Sequence, residues 1–188
     1  MQRTILYALA LAWVITSCGG KTESGSNQDA QTVEQNPSPS APNASKSTTQ
    51  IIDTYLAVKD ALVADDQALA AEKSKALAQA LKSYDISGAT ANDPEELERL
   101  QVEATSFAEN LASGDLAAQR ESFQALSVVV KDMLKIAGTD RTIYHQYCPM
   151  YKNNTGGMWL SAEEEIKNPL FGSKMLSCGT VEETLASN

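Results

Sequence analysis

A short segment near the carboxyl-terminal end of the sequence contains three side chains of the kind that bind soft metal ions. These are His145, the only histidine of the chain, together with Cys148 and Met150. Met175 and Cys178 follow further along the sequence. Imidazole, thiolate and thioether groups form the ligand set that selects monovalent copper and similar ions. These five residues therefore predict a metal site, with Cu+ as the expected cofactor.

The two cysteines of this set are also candidates for a disulfide. Paired cysteines in exported proteins are commonly oxidised, and closing the loop from Cys148 to Cys178 would stabilise an irregular segment by about 3–4 kcal/mol in the chain-entropy model. An intact disulfide and a thiolate site exclude each other at Cys148. Both hypotheses stay open on the sequence.

The overall composition narrows the classes of function. The formal net charge is −9, whereas nucleic-acid binding requires clusters of Lys and Arg that neutralise phosphates, so nucleic acid is not an expected partner. With one histidine, a catalytic pair could form only between His145 and Cys148 or a serine. The sequence has no nucleophile elbow and no phosphate-binding glycine loop. We therefore predict a binding protein and not an enzyme.

The first residues have the pattern of a lipoprotein signal peptide. Arg3 supplies a positive charge, an apolar stretch follows, and small residues surround Cys18. The apolar stretch is too short for a membrane-spanning helix, and Cys18 resembles the residue that bacteria lipidate. Acyl chains hold a folded domain at a membrane surface. We expect residues 1–17 to be a signal peptide and the mature protein to be lipid-anchored in the cell envelope.

A polar tether is predicted to separate the lipid anchor from a helical domain. Residues 18–47 are rich in Ser, Asn, Gln, Thr and Pro and contain too few apolar side chains to form a core. Over residues 48–138, apolar positions recur with the helical period and predict four helices. Asp93 before Pro94 is a typical helix start, and Gly138 is a typical helix end. Short connections favour an antiparallel bundle.

The last segment, residues 139–188, lacks a long helical period and is expected to be an irregular tail of the same domain. Short helices are predicted at residues 162–167, with Ser161 as the cap, and at residues 181–186. The remaining turns need a disulfide or a ligand to hold them. The sequence therefore predicts an all-α fold, in which an antiparallel four-helix bundle carries an irregular C-terminal tail that contains short helices.

Several stretches of the sequence resemble a bacterial domain of unknown function, family 3347, which occurs in secreted lipoproteins and in periplasmic adaptor subunits of heavy-metal efflux systems. The similar stretches are residues 55–65, residues 119–127 and a C-terminal series that includes Tyr147-Cys148-Pro149-Met150, Asn168-Pro169, Met175-Leu176 and Cys178-Gly179. The resemblance covers about residues 51–181. It implies a helical domain with a cysteine-containing tail, an association with export of copper or other heavy metals, and a periplasmic efflux adaptor as partner.

Two functions are consistent with these observations. The first is a membrane-anchored extracytoplasmic protein that binds Cu+ through His145, Cys148, Met150, Met175 and Cys178, for sequestration or delivery to an efflux system. The second is a non-enzymatic envelope interaction module whose tail is held by a disulfide between Cys148 and Cys178. The redox state of the two cysteines distinguishes the two hypotheses.

Overall fold

Four amphipathic helices form the larger part of the fold in the computed structural model, which describes residues 44–88 and 93–187. They are α1 (Ala44–Val63), α2 (Gln67–Lys82), α3 (Pro94–Leu111) and α4 (Leu116–Ala137). Each helix packs against the next, and α1 also packs against α4. The predicted helical bundle is confirmed. Its first helix begins at Ala44, before the predicted domain start at residue 48.

The helix ends are set by caps that the sequence indicates. Asp66, Asp93 and Asp115 each accept a hydrogen bond from a backbone N–H group in the first turn of α2, α3 and α4, respectively. The cap of α2 is Asp66 and not the neighbouring Asp65. Gly138 ends α4 with φ at 81°, a backbone conformation that favours glycine.

The C-terminal segment is a three-stranded antiparallel sheet, so the expectation of an all-α fold was wrong. The strands are β1 (Ile143–Cys148), β2 (Gly157–Ser161) and β3 (Thr180–Leu185), in the spatial order β2-β1-β3. The register places Tyr147 opposite Met158 on one side and opposite Thr180 on the other. The sheet gives the backbone groups of the tail hydrogen-bond partners that a set of irregular turns would lack.

The helix predicted at residues 162–167 was also wrong, because a buried side chain competes for its carbonyl groups. Ser161 does accept a hydrogen bond from the Glu163 N–H at 3.0 Å, as a helix cap would. The Gln146 amide, however, donates to the carbonyls of Glu163, Glu164 and Glu165 at 2.9, 3.1 and 3.3 Å. The side chain of Gln146, on β1, therefore occupies these carbonyls, and they do not accept the hydrogen bonds of a helix.

The helix predicted at residues 181–186 is replaced by β3. The strand β3 begins with Thr180 and Val181 and includes Thr184. These β-branched side chains favour extended backbone. Pairing with β1 also satisfies the hydrogen-bonding groups along the second edge of that strand.

The sheet joins the bundle through β2. All five residues of β2 are buried, and this strand packs against α4. The chain reverses between β1 and β2 in a left-handed turn, in which Lys152, Asn153 and Asn154 have φ values of 44°, 56° and 68°. Asparagine tolerates this region better than most residues. One-turn 3₁₀ helices occur at Ile86–Gly88 and Gly172–Lys174.

The predicted signal peptide, the lipidation site Cys18 and most of the predicted tether lie outside the residues that the structure describes. Within the described ranges, no helix combines the length and the apolar content needed to cross a membrane.

Candidate interaction surface

Cys148 and Cys178 are joined in a disulfide, with their Cα atoms 5.7 Å apart. Cys148 is the last residue of β1 and is fully buried. Cys178 lies just before β3, the strand that pairs with β1. The bond therefore ties the end of one strand to the approach of its neighbour. While it is intact, neither sulfur is available as a thiolate ligand.

His145 lies on the other face of the sheet from Cys148. Side chains alternate along a strand, and β1 pairs with β2 in unbroken register from Tyr144 to Cys148. Burial is the main cause of a lowered pKa at His145, and the positive charge of Lys131 is the second. Its Nδ1 atom is 3.7 Å from a carboxylate oxygen of Glu183, and neither ring nitrogen has a hydrogen-bond partner in the described part of the chain.

The two predicted methionine ligands lie outside the strands. Met150 is 50% exposed in the turn after β1. Met175 shares a turn with Cys178, whose N–H donates to its carbonyl at 3.1 Å. Across residues 44–88 and 93–187, no group of three or more His, Cys, Asp or Glu side chains is placed to hold a metal ion. The structure therefore joins the two cysteines but does not support the five-residue copper site.

Asn168 holds the loop that leads from β2 to β3. Its side-chain oxygen accepts from the Leu170 N–H at 2.8 Å, and its amide donates to the Cys178 carbonyl at 2.8 Å. Its backbone N–H donates to the Leu176 carbonyl, and its carbonyl accepts from the Gly172 N–H. A fully buried asparagine thus fixes both ends of the loop. Together with the disulfide, it sets where β3 begins.

An ion pair between Asp65 and Arg120 ties this loop to the bundle. Arg120, on α4, donates to Asp65, to the Leu62 carbonyl and to the Pro169 carbonyl. Asp65 also accepts from the Ser173 N–H at 3.1 Å. Hydrogen bonds from Ser173 and then from the Arg120 guanidinium hold the pKa of the Asp65 carboxyl at about 2. One carboxylate thereby connects the α1–α2 turn, α4 and the C-terminal loop.

Tyr55 closes the outer edge of β2. Its hydroxyl accepts from the Leu160 N–H at 3.0 Å and lies 2.6 Å from the Ser127 hydroxyl. Because Ser127 donates its hydrogen to the Phe123 carbonyl, Tyr55 donates to Ser127. Burial raises the pKa of Tyr55 above its usual range, which keeps this donor protonated. At Leu160, the outer edge of β2 is therefore hydrogen-bonded to the helical core.

The outer edge of β3 is open. β3 pairs with β1 only, and its Val181, Glu182 and Thr184 are exposed. In the described ranges, no residue other than those of β1 hydrogen-bonds to its backbone. A bulge in the pairing leaves Glu182 without a partner on β1. Free N–H and C=O groups along an exposed edge strand form a template for an added strand.

Several residues that shape this surface were missed from the sequence, although some carried a signal. Asn168 precedes a proline, a dipeptide typical of turns. The β-branched and aromatic residues of β1, followed by Gly156-Gly157, are typical of a strand that enters a turn. Gln146 and the pair of Asp65 with Arg120 gave no comparable signal, because their partners lie far away in the sequence.

The fold is that of a small α+β domain. It consists of four helices and an antiparallel sheet that a disulfide cross-links. Residues 51–142 match the model of a family described as protein of unknown function (DUF3347). This match supports the predicted family for the helical part and ends just before β1, so the sheet lies outside it. No curated protein and no solved structure matches the chain at a significant level.

Proposed function

We propose that this chain is a non-enzymatic interaction module of the cell envelope that binds an extended segment of a partner protein along β3. The difference between the two edges of the sheet carries this proposal. The edge of β2 is buried and bonded to Tyr55, whereas β3 presents an exposed backbone edge. Strand addition to such an edge is a recurrent mode of peptide recognition, in which backbone hydrogen bonds supply affinity.

Charge indicates the chemistry of the partner segment. Glu183 forms an ion pair with Lys135 at 2.9 Å, but Glu182 has no ion pair within the described ranges. A partner strand with Lys or Arg opposite Glu182 would supply the missing charge. Two copies of β3 paired together would instead bring their glutamates close to one another, which is destabilising. We therefore infer a basic strand from a different protein.

The disulfide gives this surface its rigidity. Removing rotational freedom before binding reduces the entropy cost of association, and Cys178 fixes the chain just before β3 begins. Anchoring at a membrane through Cys18 is part of the proposal and rests on the sequence pattern alone. The alternative function, copper binding, is less well supported. Cys148 and Cys178 are joined in a disulfide, and His145 lies on the opposite face of the sheet from Cys148.

In-cell crosslinking tests the proposal directly. A photoreactive amino acid would replace Thr184 on β3 or, as a control, Val102, which is 66% exposed on α3. We expect a discrete adduct with another protein from position 184 and none from position 102. Glu182→Lys should reduce the adduct at least about fivefold by charge repulsion. Glu98→Lys, the same charge change at an exposed position of α3, should leave it unchanged.

Two results of this experiment would contradict the proposal. Equal adducts from positions 102 and 184 would show that contact is not specific to β3. A crosslink within the same chain would assign the edge to a segment outside the described ranges. Thiol alkylation followed by intact-mass measurement distinguishes the interaction module from a copper-binding protein. The interaction module requires that neither Cys148 nor Cys178 is a free thiol. Two free thiols that bind Cu+ would contradict the interaction module.

A further inference from the structure

A second surface feature lies away from β3, in a groove of about 390 Å³ between the start of α4 and the C-terminal loop. One wall comes from Leu116 and Arg120 of α4, and the other from Leu170, Phe171 and Lys174. Tyr151, from the turn after β1, lies between them. No residue of β3 lines the groove, so a ligand here would be independent of strand addition.

The body of the groove is apolar and pre-formed. Tyr151 and Phe171 meet edge to face with their ring centroids 6.0 Å apart. Tyr151 is 8% exposed and Leu170 is 3% exposed, so both are fixed by packing. A Cβ atom on Gly157 would lie 2.6 Å from the Tyr151 ring, so this ring packs directly against the backbone of Gly157. The volume suits a small molecule with an apolar group.

The polar groups of the groove are hydrogen-bond donors. The Nη1 group of Arg120 makes no hydrogen bond within the described ranges, because the contacts of this side chain use Nε and Nη2. Tyr151 is 8% exposed, and its hydroxyl is accessible to solvent and makes no hydrogen bond with a described residue. Burial raises its pKa, so the hydroxyl remains a donor.

The charge balance of the groove is positive in a chain whose net charge is −9. Arg120 is balanced by Asp65, and the neighbouring Lys152 is balanced by Glu121. Lys174, in contrast, is exposed and forms no ion pair with any described residue. Three donors with one uncompensated positive charge are complementary to an anion, and to a carboxylate in particular.

We propose that this groove binds a small organic carboxylate with an apolar body, whose carboxylate lies between Lys174, Arg120 and the Tyr151 hydroxyl. The apolar body would pack against Leu116, Leu170 and Phe171. Both halves of the ligand are needed, because the donors give direction and the apolar walls exclude water. An acid without the apolar body, or an apolar amide without the charge, should bind less tightly.

Titrations of the purified protein with three probes test this site. The probes are 3-phenylpropionate, its amide and acetate, and binding is followed by NMR shifts of backbone amides. We expect 3-phenylpropionate to bind with a dissociation constant on the order of 1 mM, as for a good fragment. The amide and acetate should bind at least about fivefold more weakly. The shifted amides should belong to residues 116–120, 151 and 170–174.

Matched variants identify the residues. Lys174→Gln and Tyr151→Phe should each weaken 3-phenylpropionate binding at least about threefold. Lys75→Gln removes an exposed charge from α2 and should change nothing. The proposal fails if the acid and the amide bind equally, if the shifted amides lie elsewhere, or if Lys75→Gln has the same effect as Lys174→Gln. The comparison of the three probes needs no variant, so it decides the matter even if Tyr151→Phe unfolds.

Discussion

The outer edge of β2 lies against the helices, whereas the outer edge of β3 faces solvent. Leu160 of β2 donates its N–H to a tyrosine in the core, and all residues of β2 are buried. β3 carries exposed Val181 and Glu182, and its outer backbone groups have no partner in the described ranges. Natural proteins usually cover or disrupt exposed edges, because they invite pairing. β2 is thus held against the helices, and the exposed edge of β3 is the one along which we propose that a partner binds.

Three contacts anchor the sheet and the loop that precedes β3. These anchors are the disulfide, the Tyr55 hydroxyl and the pair of Asp65 with Arg120. If the comparison is correct, removing an anchor should lower the free energy of unfolding, whereas changes on the outer side of β3 should affect binding alone.

The disulfide should give the largest effect. Replacing both Cys148 and Cys178 with alanine should lower the free energy of unfolding by about 3–4 kcal/mol, because the unfolded chain regains the entropy of an open loop. Alanine avoids burying an unpaired hydroxyl at position 148. Urea denaturation measures the change, and the reduced wild-type protein is the control that should behave alike. A loss below about 1 kcal/mol would show that the disulfide is not an anchor.

Tyr55→Phe should have the next largest effect. It leaves the buried Leu160 N–H without an acceptor and should cost about 2 kcal/mol in the free energy of unfolding. Tyr144→Phe removes a hydroxyl from a partly exposed residue of β1 and should stay within about 0.5 kcal/mol. Equal effects of the two substitutions, again by urea denaturation, would mean that the edge of β2 is not closed by Tyr55.

Asp65→Asn should have a smaller effect that depends on pH. The folded-state pKa of about 2 lies below the ordinary value of 3.8, so this carboxylate stabilises the fold above about pH 4 and loses its contribution as the pH falls towards 2. At pH 7 the variant should be about 1 kcal/mol less stable than the wild type.

The pH dependence distinguishes the ion pair from a simple packing defect. Urea midpoints of the wild type and of Asp65→Asn should converge as the pH falls from about 4 to 2. A difference that stays constant across this range would contradict the role of the charge. Glu98→Gln, at an exposed carboxylate on α3, should show neither the loss at pH 7 nor the convergence.

Glu182→Lys should have the smallest effect on stability. Its side chain is exposed and accepts only from the hydroxyl of Thr180 in the described ranges, so the free energy of unfolding should stay within about 0.5 kcal/mol. The same substitution should abolish most of the partner adduct from position 184. A large loss of stability would place Glu182 among the anchors and remove the distinction between the two edges.

The helical part of the fold was predictable because its signals are local. Asp66, Asp93 and Asp115 cap helices from positions that the sequence marks, and Gly138 ends α4 as glycine commonly does. Apolar positions in each helix recur with a period that depends on that helix alone.

The sheet and the candidate surfaces depend on pairings between distant residues. Ser161 begins like a helix cap, but the Gln146 side chain binds the carbonyls that follow it. The density of donors near His145 suggested one metal site, yet strand alternation places His145 and Cys148 on opposite faces. Alternation acts only once the segment is a strand, and the strand requires β2 and β3 as partners. Local patterns mark β1 as a candidate strand but do not identify its partner strands.

Residue-resolved amide hydrogen exchange tests the contrast between the two edges most directly. In the free protein, the Leu160 amide should exchange only on global unfolding, whereas the outward amides of Thr180–Leu185 should exchange almost as fast as in an unfolded chain. Binding of the protein captured from position 184 should slow those amides. Protection of every β3 amide in the free protein, or no slowing in the complex, would contradict the assignment of β3 as the binding edge.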